Sequence, residues 1–113
     1  MSEKYTVVIA STEMGHGEPE IGEKLMGAFI SKLLDQETLP ETILIYNEGV
    51  KLSVEGADTL EDLKELDKRG VRILTCGLCL DFYGIKDRLG VGEEMNMGQF
   101  VEITRTSDRV VRP

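Results

Sequence analysis

Metal ligands are scarce in this sequence: its 113 residues include two cysteines and one histidine. Tetrahedral zinc wants four ligands, commonly a second cysteine pair or two histidines. No metal or other cofactor is therefore expected. Basic charge is also short. Thirteen Lys and Arg stand against twenty-one Asp and Glu, a net charge of −8. Nucleic-acid binding needs clustered cations against phosphates, and an anionic membrane surface needs the same, so neither is an expected partner. An acidic surface suits instead the steering of a basic protein. No apolar run approaches the roughly 18 residues of a membrane-spanning helix. Met1 to Ala10 lacks a basic stretch followed by a long apolar one, so no secretory signal is read there. A reducing, cytoplasmic setting is expected. Repeats, low-complexity tracts and linkers are absent, and the length suits one domain over residues 1–113.

What the sequence does have is an alternation of strands and helices. Tyr5 to Ala10, Thr42 to Tyr46 and Val71 to Thr75 are β-branched and mostly apolar, as strands covered on both faces should be. Arg109 to Arg112 reads as a short last strand. Pro19 suits the first turn of a helix. Leu25, Phe29 and Leu33, with Met26 and Ile30 beside them, make its apolar stripe. A second helix starts at Asp58 or Thr59, with Asp58 and Glu61 in capping-box spacing. Its inner face is Leu60, Leu63 and Leu66, and Gly70 ends it. A third follows Cys76 and ends near Gly84. A fourth runs from Asn96, as cap, to about Arg105. This order predicts an α/β fold with a mainly parallel sheet of about four to five strands and helices on both faces. Chemistry then collects at the carboxyl ends of the strands. Three loops leave such ends: Ser11 to Gly17, Asn47 to Gly56, and the segment at Cys76.

The sharpest feature is Cys76-Gly77-Leu78-Cys79, placed where a strand ends and a helix begins. Free N–H groups and the positive helix end favour a thiolate there. Gly77 removes bulk beside Cys76. A thiolate is the nucleophile of sulfur transfer and disulfide exchange, and a second thiol three residues on can resolve what forms on the first. Cysteines buried for packing alone give the same spacing. A thioredoxin-type enzyme is disfavoured, because the motif comes late and only Pro113 follows it. The first loop, Thr12-Glu13-Met14-Gly15-His16-Gly17, lacks both the G-x-G-x-x-G spacing and the Walker Lys-Ser/Thr. His16 would support a thiolate if that loop folds over Cys76, with Met14 and Gly15 beside it. Asn47 and Lys51 leave the second strand, and Lys51 is either a guide for an anionic adduct or a solvated surface lysine. Phe82 reads as core and Tyr83 as a border of the site. Met95 and Met97 read as packing.

Several stretches resemble the DsrE-like family, and within it the DsrE-like domain of YedF-type proteins. They are Thr-Glu-Met-Gly-His-Gly (12 to 17), Tyr-Asn-Glu-Gly-Val-Lys-Leu (46 to 52), Ile-Leu-Thr-Cys-Gly-Leu-Cys-Leu-Asp-Phe-Tyr-Gly (73 to 84) and Val-Gly-Glu-Glu-Met-Asn-Met (91 to 97). The resemblance implies a three-layer, Rossmann-like α/β/α domain, homo-oligomers and a role in intracellular sulfur relay. In related sulfurtransferase subunits a cysteine after a late strand carries a persulfide, and its spacing to a following glycine matches Cys76 and Gly84. The carrier role is thus implied for Cys76. Cys79 is typical of the YedF-like members and would assist or resolve. YedF proteins also carry a TusA-like domain, which these residues do not include. The implied partners are sulfur donor and acceptor proteins, a TusA-like domain among them, and selenium is a family-level alternative to sulfur. The alternatives are an oligomeric scaffold with idle cysteines, or a dithiol–disulfide exchange protein.

Overall fold

Five short apolar or β-branched segments pair side by side in the computed structural model, which describes residues 4–113. They are β1 (Tyr5–Ile9), β2 (Thr42–Ile45), β3 (Arg72–Cys76), β4 (Glu93–Met95) and β5 (Arg109–Val111). All neighbours run parallel, in the order β4-β3-β2-β1-β5. Four helices connect them: α1 (Pro19–Leu33), α2 (Leu60–Lys68), α3 (Gly77–Phe82) and α4 (Met97–Thr106). The expected α/β fold is therefore present, with one strand, β4, that the sequence pattern did not reveal. A 3₁₀ segment, Asn47–Leu52, also stands where a loop was expected.

Right-handed crossovers decide which face each helix covers. The chain steps β1 to β2 to β3 in one direction, which places α1 and α2 together on one face. It then returns from β4 across the sheet to β5, which places α4 on the other. Side-chain alternation agrees. Val7 shares a groove with Leu25, Phe29 and Leu33 of α1. The opposite-facing Thr6 hydroxyl lies 2.6 Å from that of Ser107, just past α4. By register Leu74 pairs with Leu44 and Val8 with Leu44. Leu74 and Cys76 therefore face α4, while Thr75 faces the other layer, where its hydroxyl donates to Ser53 at 3.1 Å.

The helix faces hold two corrections. In α1 the buried residues are Gly22, Met26, Ile30 and Leu33, whereas Leu25 is exposed. Of the expected stripe, Met26, Ile30 and Leu33 are buried and Phe29 packs against the core, so Leu25 is the member that falls off the face meeting the sheet. In α2, Leu60, Leu63 and Leu66 are buried as expected, each worth roughly 1.5–3 kcal/mol of transfer free energy. The expected capping box at Asp58 and Glu61 does not form, and Thr59 directs its hydroxyl to the Leu52 carbonyl at 2.7 Å. That bond ties α2 to the 3₁₀ segment and leaves the helix start without a side-chain cap. Its end is regular. Gly70, at φ +100°, donates to Asp67, and Val71 donates to Leu66, the paired bonds of a Schellman stop.

Candidate functional site

Cys76 is the last residue of β3 and the residue that caps α3. Its sulfur accepts the Cys79 N–H at 3.3 Å. Gly84, at φ +69°, ends the helix with the same paired bonds as Gly70: Gly84 to Asp81 and Ile85 to Leu80. The glycine eight residues after Cys76 thus sets the length of the helix that carries Cys79. Both thiols are free. Cys76 is 8% exposed and lies in a pocket of about 510 Å³, lined also by Gly77, Lys86, Glu94, Asn96, Met97 and Gln99. Cys79 is half-buried on the side of the 3₁₀ segment.

Asn47 reaches Cys79 through its backbone. Its N–H donates to the Cys79 sulfur at 3.2 Å. Asn47 is the only described non-glycine residue with positive φ, at +52°, a left-handed conformation that Asn tolerates better than most residues. Gly49 follows because a Cβ there would stand 2.8 Å from the Ile9 carbonyl oxygen, so the segment packs directly on the end of β1. Burial pushes the Cys79 thiol above its ordinary pKa. The hydrogen bond with Cys76 acts in the same direction, and the Asn47 N–H opposes both. Cys79 is thus a thiol that keeps its proton.

The remaining candidates are placed unevenly. Lys51 sits 4.8 Å from the centroid of the Tyr83 ring and 3.8 Å from Glu48, so both Lys51 and Tyr83 border the α3 side. Glu48 in turn accepts from Thr12 at 3.4 Å. Met14 lies in the groove beside α1 instead, and its N–H donates to Gly22. Gly15 and His16 are exposed, and among the described residues no hydrogen bond or ion pair connects His16 to either thiol. The first loop folds back on α1 rather than over the dithiol. Phe82, expected in the core, is 81% exposed, and Met97 is exposed too, while Met95 is buried.

Sequence reasoning singled out neither Glu94 nor Lys86 and Gln99, which line the same pocket. Glu94 on β4 brings its carboxylate against Gly77, where an added Cβ would lie 2.7 Å from Oε1. The bulk that Gly77 lacks is filled by this carboxylate. Lys86 is 3.6 Å from the same oxygen. A pair of acids before Met95 was the sole hint. Among the described residues no three His, Cys, Asp or Glu side chains group to hold a metal ion. Nor is any helix there long and apolar enough to cross a membrane.

The sheet order and the placement of the thiols define a parallel α/β protein with a cysteine pair at the carboxyl edge. The chain belongs to the DsrE/DsrF-like family, whose family model matches residues 4–113. Solved structures share the fold. MTH1491 from Methanobacterium thermoautotrophicum, described as a protein of unknown function, is 20% identical with a TM-score of 0.74, over 99% of this chain and 100% of that one. The ychN protein from E. coli is 19% identical with a TM-score of 0.71, over 97% and 99%. BT1422 from Bacteroides thetaiotaomicron, a conserved protein of unknown function, is 13% identical with a TM-score of 0.64, over 97% and 95%. No curated protein matches the chain.

Proposed function

We propose that this chain is a sulfur-relay carrier of the YedF type, in which Cys76 holds sulfane sulfur as a persulfide. The observation that carries the proposal is the setting of Cys76: the carboxyl end of β3, in a pocket, with a second thiol one helical turn away. The Cys76 thiolate attacks the sulfane sulfur of a donor, and the donor leaves as its thiol. An acceptor thiolate then takes that outer sulfur and returns Cys76 to the thiol. Cys79 offers a second exit. Cys79 attacks the inner sulfur of the persulfide, its proton leaves with the released sulfide, and a Cys76–Cys79 disulfide remains, which an external thiol must reduce. The same steps serve selenium. The donor and acceptor are proteins of a reducing cytoplasm, and a TusA-like domain fits either role. Homo-oligomers fit the exposed apolar residues Leu78 and Phe82 of α3 and Met97 and Val101 of α4.

The test is intact mass after reduced protein meets a sulfane-sulfur donor. Wild type should gain about 32 Da, one sulfur atom. Cys76→Ser should gain nothing, and Cys79→Ser should load but release sulfide more slowly. Normal loading of Cys76→Ser would overturn the assignment. The burial of Cys76 favours a second reading, an oligomeric scaffold with idle thiols. No mass gain, with both thiols slow to alkylate until the protein unfolds, would establish that reading instead.

A further inference from the structure

The pocket over Cys76 carries more polar recognition than a bare thiol site needs. Glu94 offers a carboxylate and Lys86 an ammonium, 3.6 Å apart and both partly exposed. Asn96 and Gln99 line the same pocket. Their side-chain oxygens are engaged in the capping box of α4: Asn96 Oδ1 accepts the Gln99 N–H, and Gln99 Oε1 accepts the Asn96 N–H. That engagement fixes which atom of each amide is which and leaves two NH₂ groups with no partner among the described residues. The pocket thus presents one anionic acceptor, one cation and two neutral donors around a buried sulfur. Its volume, about 510 Å³, falls in the range of small-molecule sites.

We infer that the pocket admits a small α-amino-acid persulfide, cysteine persulfide being the simplest, as a direct sulfur donor to Cys76. The inference rests on the persulfide reading above and names its substrate. The donor's ammonium meets Glu94. Its carboxylate meets Lys86 and the amide NH₂ groups of Asn96 and Gln99. The short side chain then points the sulfane sulfur toward Cys76. The Cys76 thiolate attacks that outer sulfur, the donor S–S bond breaks, and its electron pair leaves with cysteine. The proton lost by Cys76 ends on the departing cysteine, so one thiol and one persulfide exchange places without net oxidation. An inserted zwitterion replaces the loose Lys86–Glu94 pair with two ion pairs of its own, which is why a donor lacking one charge should load more slowly.

The experiment compares initial loading rates, read as the 32 Da gain by intact mass, for cysteine persulfide and for N-acetylcysteine persulfide, which keeps the carboxylate and loses the ammonium. Wild type should load from cysteine persulfide about fivefold faster, the scale of one partly exposed ion pair. Glu94→Gln should bring the ratio of the two rates close to one. Lys86→Met should slow both donors, because both carry the carboxylate, and circular dichroism checks that each variant is folded. A wild-type ratio of one, or a ratio unchanged in Glu94→Gln, would overturn the recognition while leaving Cys76 as carrier. Failure of both donors to load wild type would overturn this inference alone, and the carrier reading falls with it only when the sulfane-sulfur donor of the earlier test also leaves wild type without the 32 Da gain.

Discussion

Helices α2 and α4 are nearly the same length, nine and ten residues, yet they are held in opposite ways. The start of α2 has no side-chain cap, but Leu60, Leu63 and Leu66 are buried against the sheet. A complete capping box closes the start of α4, but none of its residues is fully buried. Phe100 reaches Tyr46 edge-on at 5.2 Å between ring centroids, and Ile103 is half-buried, while Met97 and Val101 face outward. Packing therefore holds α2, and its ends hold α4. The difference tracks the chemistry: no residue of α2 lines the Cys76 pocket, whereas the first turn of α4 walls it. A helix fixed by its terminus can present polar groups to a site without a core face to satisfy.

Substitutions can break that contrast. Leu63→Ala should cost about 3 kcal/mol, because a fully buried leucine loses both transfer energy and packing. Chemical denaturation measures it, and a loss below about 1 kcal/mol would mean that α2 is not held by its core face. Asn96→Ala should cost about 1 kcal/mol, the usual scale of a lost N-cap. It should also speed alkylation of Cys76, since fraying of that first turn opens the pocket wall. An unchanged alkylation rate would separate the cap from access to the thiol. Phe82→Ser on α3 should change the stability of the isolated chain by no more than about 0.5 kcal/mol, as surface substitutions do. A larger loss would return Phe82 to the core that the sequence pattern suggested.

How much the sequence could reveal depended on where each constraint resides. Gly70 and Asn96 are local signals, and both act where their residue types say they should. The α1 face was legible except at Leu25, because Leu25-Phe29 and Met26-Ile30 are adjacent apolar series about 100° apart around the helix, and only tertiary packing chooses between them. Strand β4 was hidden for a different reason. Its three residues include two exposed acids, so no apolar alternation marks it, and it exists as an edge strand by pairing with β3. The spacing of Cys76 and Cys79 was legible, and so was their place at the end of a strand. The Asn47 contact was not, because it uses a backbone N–H that every residue but proline has. Glu94 was equally silent, since its approach to Gly77 depends on that hidden edge strand.

The two thiols offer the finest contrast, and pH can draw it out. Burial and the Cys76 hydrogen bond raise the Cys79 pKa in the folded protein above its ordinary value. The unfolded chain releases that proton near pH 8.5, the ordinary cysteine value. Between these two values the folded state binds more protons than the unfolded state, so stability must fall as pH rises. The contribution is fully present below about pH 8.5 and is lost as pH climbs through the folded-state value. Tyr5 is shifted the same way by burial, although Arg109 opposes it, but its window opens only above about pH 10. Denaturation midpoints of wild type and Cys79→Ser, measured between pH 7.5 and about 10, isolate the thiol. The wild type should lose stability over that range more steeply than the variant. Parallel curves would mean that Cys79 gives up its proton as readily in the fold as in the open chain, and the resolving thiol would then be as available as any exposed cysteine.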